Sequence, residues 1–184
     1  MFKDDDQALV ESCRRGDRTA FAALVRRYLR PLYNAAYRVL GNVDDANDIT
    51  QGVFVKVLER LDEYDPEGKF FSWIYRIAIN ESINVLRSRG RDRPIDEALD
   101  RPAPDGAGPE FQLQADQRSN RVQKALSSMK TDDRLVLTLR HFSECSYQEM
   151  ASILDLEEKT VKSRLFEARQ RLAALLKDDV EELI

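Results

Sequence analysis

The sequence predicts an all-α protein made of two small helical domains, on three observations. Apolar residues recur at three-to-four spacing through both halves of the chain. No alternating run bounded by turn signals is sustained, so strands have no candidate segment. Four of the six prolines and two of the seven glycines fall between positions 91 and 118, which marks a flexible linker between residues 1–90 and 119–184. A chain of 184 residues has room for this arrangement, since domains usually run to roughly 100–200 residues.

The first helix is expected near Asp5 to Arg14, because Gly16 breaks the pattern that follows. A long helix from Arg18 to Leu40 ends at Gly41-Asn42, and a third runs from Val43 to Leu61. After Asp65-Pro66-Glu67-Gly68, a fourth extends from Phe70 to Arg89. In the second half, helices are expected near Gln114 to Ser128 and Asp132 to His141. Ser146-Tyr-Gln-Glu149 is a capping box that starts the next helix, which reaches Leu154. Only Asp155-Leu156-Glu157 separates it from a long helix running from Glu158 to Lys177, and two helices joined by so tight a turn make a helix-turn-helix.

Composition excludes several function classes. The formal charge of −4 argues against a chain that coats nucleic acid or anionic membrane by bulk charge, so such contacts must be local. Cys13 and Cys145 lie far apart with no histidine cluster, and no metal site or disulfide framework is signalled. His141 is the sole histidine, and Ser146 reads as a helix cap, so no nucleophile, base and orienting group can be assembled. The expectation is a protein without catalysis or cofactor. No stretch approaches the ~18 apolar residues of a membrane span, and the acidic start is unlike a signal peptide, which fits a cytoplasmic protein.

Three helical faces carry the functional signal. On the last helix Val161, Leu165, Ala168 and Leu172 form one side, and Lys162, Ser163, Phe166, Glu167, Arg169 and Gln170 the other. From Lys159 to Arg171 there are five basic residues and one acid, a local excess in an acidic chain. Phe166 amid charges suits a thymine methyl or a sugar better than water, and its neighbours can contact phosphates and base edges. On the fourth helix Trp73, Arg76, Asn80, Asn84 and Arg87 fall within ~80° of one another at 3.6 residues per turn. With Tyr64, Phe70 and Phe71 just before them, they offer stacking rings, amides and arginines, the groups that hold unpaired bases. On the third helix Asp44, Asp48, Gln51, Val55 and Glu59 make an acidic face with one aliphatic residue in it, suited to a basic protein partner.

The segments DANDITQ, FFSWIYRIAIN and SYQEMA followed by TVKSRLFEARQRL, in that order and spacing, resemble bacterial sigma factors of the extracytoplasmic-function (ECF) group. These are the two-domain promoter-specificity subunits of RNA polymerase. The resemblance implies that residues 1–90 dock on core polymerase and open the minus 10 element, and that residues 119–184 read the minus 35 element. The acidic face of Asp44, Asp48, Gln51, Val55 and Glu59 would meet the clamp helices of the largest polymerase subunit. Tyr64, Phe70, Phe71, Trp73, Arg76, Asn80, Asn84 and Arg87 would hold melted DNA. Lys159, Thr160, Lys162, Ser163, Arg164, Phe166, Glu167 and Arg169 would enter the major groove of double-stranded promoter DNA. An anti-sigma factor is implied as a further partner. The sequence departs from the family pattern at Asp155, where Gly is frequent, at Gly52, where Glu is frequent, and at Glu167, where a basic residue is frequent. The rival reading is a stand-alone helix-turn-helix regulator, which would bind duplex tightly without polymerase and leave Trp73 and Asn80 without a role.

Overall fold

The computed structural model describes residues 6–89 and 109–181, and every regular element among them is helical. The first half comprises α1 (Asp6–Arg14), α2 (Arg18–Leu40), α3 (Val43–Arg60) and α4 (Phe70–Ser88). The second comprises α5 (Pro109–Ser128), α6 (Thr131–Leu137), α7 (Tyr147–Leu154) and α8 (Glu158–Glu181). Positions 91–108 of the expected linker lie outside the described residues. Its last ten positions belong to α5, which begins at Pro109 rather than near Gln114. A proline in the first helical turn lacks only an N–H that would have no partner there, and no glycine follows it before the helix ends.

Local signals set the helix ends. Asp17 caps α2, its Oδ1 accepting from the backbone N–H of Thr19 at 2.8 Å and of Ala20 at 3.3 Å. Gly41, at φ 69°, closes α2 in a left-handed turn whose N–H donates to the Tyr37 carbonyl at 2.8 Å. Asn42 then caps α3 by accepting from the Asp45 N–H at 2.9 Å. The first core forms where Leu24, Leu32 and Val39 of α2 meet Ala46, Val53 and Val57 of α3 and Ile74, Ala78 and Ile79 of α4. Asp6 is buried at the start of α1, where it accepts from the Tyr28 hydroxyl and from Arg27 of α2.

The helix expected from Asp132 to His141 is divided. It stays α-helical to Leu137 and then widens into a π-helical turn, Thr138–Phe142. The Ser143 N–H donates to the Thr138 carbonyl and the Cys145 N–H to the Leu139 carbonyl, while Glu144 takes a positive φ of 53°. His141 and Phe142 of this turn are exposed and Arg140 is half-buried, its guanidinium donating to the Cys145 carbonyl at 2.8 Å, and such bulges recur at functional sites. The capping box forms as the sequence predicts, with Glu149 N–H to Ser146 Oγ at 3.2 Å and Ser146 N–H to Glu149 Oε2 at 2.9 Å. Asp155 occupies the left-handed turn between α7 and α8 at φ 54°, ψ 51°.

The two halves pack together, α4 against α7 and the end of α2 against α5, α6 and the π turn. Tyr75 of α4 lies buried in this contact, with the Ser143 side chain as a hydrogen-bond partner. Burial pushes its phenol up to about 12, and burial likewise pushes Tyr28 up, aided by the bond to Asp6. Both groups are held neutral in the fold, so their contribution is complete below the ordinary tyrosine value near 10 and declines as pH rises above it, that of Tyr75 being lost by about 12. Thermal melting is therefore expected to weaken between pH 10 and 12, in step with tyrosinate absorbance. A melting temperature constant to pH 12 would overturn this.

Candidate nucleic-acid interface

α8 presents two opposed faces. Val161, Leu165 and Ala168 are buried against the rest of the helix-turn-helix. Lys159, Lys162, Ser163, Phe166, Glu167, Arg169 and Gln170 are exposed, whereas Thr160 and Arg164 are half-buried at the flank. Phe166 is 62% exposed among these polar and charged side chains. Most of the cations on this helix already have an acceptor. Lys162 pairs with Glu158 at 2.6 Å, Arg164 with Asp132 at 3.2 Å, and Arg171 with Asp133 at 2.7 Å. Exposed ion pairs contribute only about 0–1 kcal/mol, so phosphates compete readily for Lys162 and Arg164.

Arg169 Nε donates to His141 Nε2 at 3.2 Å. The histidine that lacked a visible partner in the sequence is thus an acceptor for one of the candidate contacts. Burial first, then the charges of Arg169 and Arg140, push His141 below the ordinary imidazole value. A neutral imidazole can accept at Nε2, as the contact with Arg169 requires. Beside them the Tyr147 ring lies 5.1 Å from the Arg140 guanidinium and 5.3 Å from the Lys162 ammonium.

On α4 the structure brings Arg76, Asn80, Asn84 and Arg87 to one exposed stripe, with Trp73 half-buried at its head. Tyr64 and Phe70 are elsewhere: they are 3% and 2% exposed. Their rings meet each other at 5.5 Å and Trp73 at 5.6 and 5.7 Å, and the Tyr64 hydroxyl donates to the Gly68 carbonyl at 2.6 Å. This corrects the expectation that they face a nucleic acid, because both rings fill the space beneath the loop that leads into α4. The spacing Phe70, Trp73, Ile77 is itself that of a core stripe, a signal the aromatic content obscured. Phe71 is half-buried and stacks on Tyr75 at 4.3 Å.

The stripe is partly occupied by the protein's own second half. Arg76 Nε donates to the Ser152 carbonyl of α7 at 3.0 Å. Lys69, one residue before α4, pairs at 3.2 Å with the capping-box glutamate, Glu149. Across the other contact Arg38 of α2 donates to Ser119 and Gln123 of α5 and covers the Phe142 ring at 4.5 Å. None of these pairings between the halves was visible in the sequence.

On α3, Asp44, Asp48, Gln51, Val55 and Glu59 are all exposed, while Ala46, Ile49, Val53 and Val57 face the core. Val55 is 55% exposed, and Leu58 on the next turn is equally open, which widens the apolar part of this face beyond the single residue expected. A side chain at Gly52 would meet nothing within 4 Å, so no close approach requires the glycine. Among the described residues no group of histidine, cysteine and carboxylate side chains is placed to hold a metal ion, and no helix is long and apolar enough to cross a membrane.

Residues 24–92 match the family description Sigma-70 region 2, and residues 119–172 match Sigma-70 region 4. The chain is 31% identical to the RNA polymerase sigma-H factor of Pseudomonas aeruginosa, over 99% of both sequences. It is 32% identical to the ECF RNA polymerase sigma factor SigW of Bacillus subtilis, over 92% of this chain and 95% of that one. The chain belongs to the ECF sigma factors. Two solved structures share the fold of this sigma factor at 27% identity. CnrH, in complex with the cytosolic domain of CnrY, superposes with a TM-score of 0.74 over 96% of this chain and 99% of that chain. The sigma factor RpoE of Bartonella quintana, in complex with the anti-sigma factor NepR, gives 0.71 over 85% and 96%. As an alternative sigma factor, the protein directs RNA polymerase to promoters and takes part in transcription initiation. Nothing in these comparisons favours a stand-alone regulator.

Proposed function

We propose a division of labour between the two halves, in which residues 1–90 dock on core polymerase and hold melted minus 10 DNA while residues 119–184 read the minus 35 duplex. One observation carries this: a single chain presents an exposed aromatic and basic recognition helix and, on α4, a separate stripe of Trp73, Arg76, Asn80, Asn84 and Arg87 suited to unpaired bases. Trp73 supplies a stacking face and Asn80 and Asn84 supply amides for Watson–Crick edges, with Arg76 and Arg87 tracking phosphates. Phe71 lies beside this stripe. Tyr64 and Phe70 support it from beneath rather than touching DNA. Lys159, Thr160, Lys162, Ser163, Arg164, Phe166 and Arg169 make the duplex contacts, Phe166 against a thymine methyl or a sugar.

The acidic face of α3, with Val55 and Leu58 exposed in it, meets the clamp helices of the largest polymerase subunit. The protein performs no chemistry of its own and acts by binding energy in the cytoplasm. Its low net charge suits a factor that reads DNA inside the polymerase complex, where counterion release by the free subunit matters little. The complexes in which RpoE and CnrH were solved support an anti-sigma factor as a further partner.

The test is permanganate footprinting of promoter fragments enriched from a random library. Unpaired thymines at a defined site are expected only when the protein and core polymerase are both present. Asn80→Ala is expected to reduce that opening about tenfold while leaving polymerase binding intact. Tight duplex binding without polymerase, and no opening with it, would overturn the proposal.

A further inference from the structure

A carboxylate on a helix that enters DNA is repelled by phosphate unless something offsets it, and Glu167 is such a group. It is exposed on α8, next to Phe166 and one residue before the buried Ala168. It is also held. Arg171, one turn further along, donates from Nη2 to Glu167 Oε2 at 3.0 Å. Arg171 is itself fixed, because Nη1 donates at 2.7 Å to each oxygen of Asp133, a buried carboxylate in the first turn of α6. Asp133 thus anchors Arg171 from the interior, and Arg171 carries a positive charge to the exposed carboxylate. Glu167 Oε1 takes no hydrogen bond among the described residues.

The chain spends two groups on making one exposed acid tolerable and well oriented. A solvated acid with no task needs neither a buried anchor nor a fixed rotamer. We infer that Glu167 is a specificity-determining residue that accepts a hydrogen bond from the exocyclic amino group of a cytosine in the duplex, with Arg171 as its positioning residue. Cytosine is the base that presents a lone donor in the major groove, and Glu or Asp is the side chain that accepts from it. Arg164, on the same flank of α8, is already paired with Asp132 at 3.2 Å.

This inference rests on the reading of α8 as the minus 35 helix, and the test separates the two. Core polymerase carrying the wild-type protein, Glu167→Ala, Glu167→Gln or Arg171→Met is used to select opened promoters from a library randomised across the upstream element. Wild type is expected to enrich C at one position by roughly tenfold over other bases. Glu167→Ala is expected to flatten that position alone, and Glu167→Gln to move it toward A, which a side-chain amide can pair. Arg171→Met keeps the carboxylate but not its orientation, and is expected to weaken the C preference several-fold with α-helical circular dichroism unchanged. If wild type selects no upstream sequence, the reading of α8 fails. If wild type selects a sequence and both Glu167 variants select the same bases at every position, the role of Glu167 is overturned, and a merely structural salt bridge would lower opening on all sequences alike.

Discussion

Arg134→Met is expected to lower the melting temperature by roughly 6–12 °C and to separate the unfolding of the two halves. Arg134 is 5% exposed, and burial alone pushes its guanidinium below the ordinary arginine value. Its Nη1 donates to the Val39 carbonyl at 2.5 Å, and its Nη2 to the carbonyls of Ser127 at 3.2 Å and Met129 at 3.0 Å. Val39 lies in the last turn of α2 and Ser127 in the last turn of α5. Those are carbonyls that a helix leaves without internal partners, at the negative end of its dipole. One cation thus caps two helix ends that come from different halves of the chain. Methionine fills similar volume but supplies no donor, so the carbonyls are left desolvated. Buried acceptors abandoned in this way cost about 1–3 kcal/mol each, although water reaching the site recovers part of it. A net loss of about 3 kcal/mol, at 2–4 °C per kcal/mol for a chain of this size, gives the stated shift. Calorimetry checks it, and a melting temperature within 2 °C of wild type, with one transition, would show that Arg134 does not join the halves.

Phe70→Ala is expected to destabilise the first half by about 3–5 kcal/mol, the usual consequence of removing a buried aromatic ring. The ring packs at 5.5 to 5.7 Å from Tyr28, Tyr64 and Trp73, so its loss leaves three rings facing a void. Asn80→Ala, at an exposed position of the same helix, is expected to stay within about 0.5 kcal/mol of wild type in stability. Denaturant titration of the two variants separates support from contact. Should Phe70→Ala melt like wild type and still fail to open DNA, Phe70 would be a contact after all and the core assignment would be wrong.

Much of the fold was legible because its signals are local. Gly41 and Asn42 ended one helix and started the next, Ser146 and Glu149 closed a capping box, and Asp155 took the left-handed turn. The aliphatic sides of α3 and α8 were legible for the same reason, since a 3.6-residue period marks which side a neighbour covers. A helical wheel gives direction but not what lies in that direction. Phe70 therefore reads as part of the same base-holding set as the polar stripe, although it points into a ring cluster completed by Tyr28, which is 42 positions away. Pairings such as Lys69 with Glu149, Arg38 with Gln123 and Arg134 with Val39 span 80 to 95 positions. Charge carries no address, and one sequence gives no means of matching a given lysine with one carboxylate among many. The π turn at Thr138–Phe142 was hidden because an inserted residue leaves the apolar pattern before it unchanged.

The closed packing of α4 on α7 has a thermodynamic consequence for every ligand of the α4 stripe. A strand that takes the Arg76 guanidinium competes with the Ser152 carbonyl for it, so its apparent affinity is its intrinsic affinity multiplied by the fraction of molecules in which that contact is broken. A closed state favoured by about 2.7 kcal/mol would leave about 1% of molecules open and weaken such a ligand about a hundredfold. Any partner that holds the halves apart returns that factor without touching the DNA. By the same reciprocity a ligand favouring the closed form is strengthened by the contacts the protein already makes with itself.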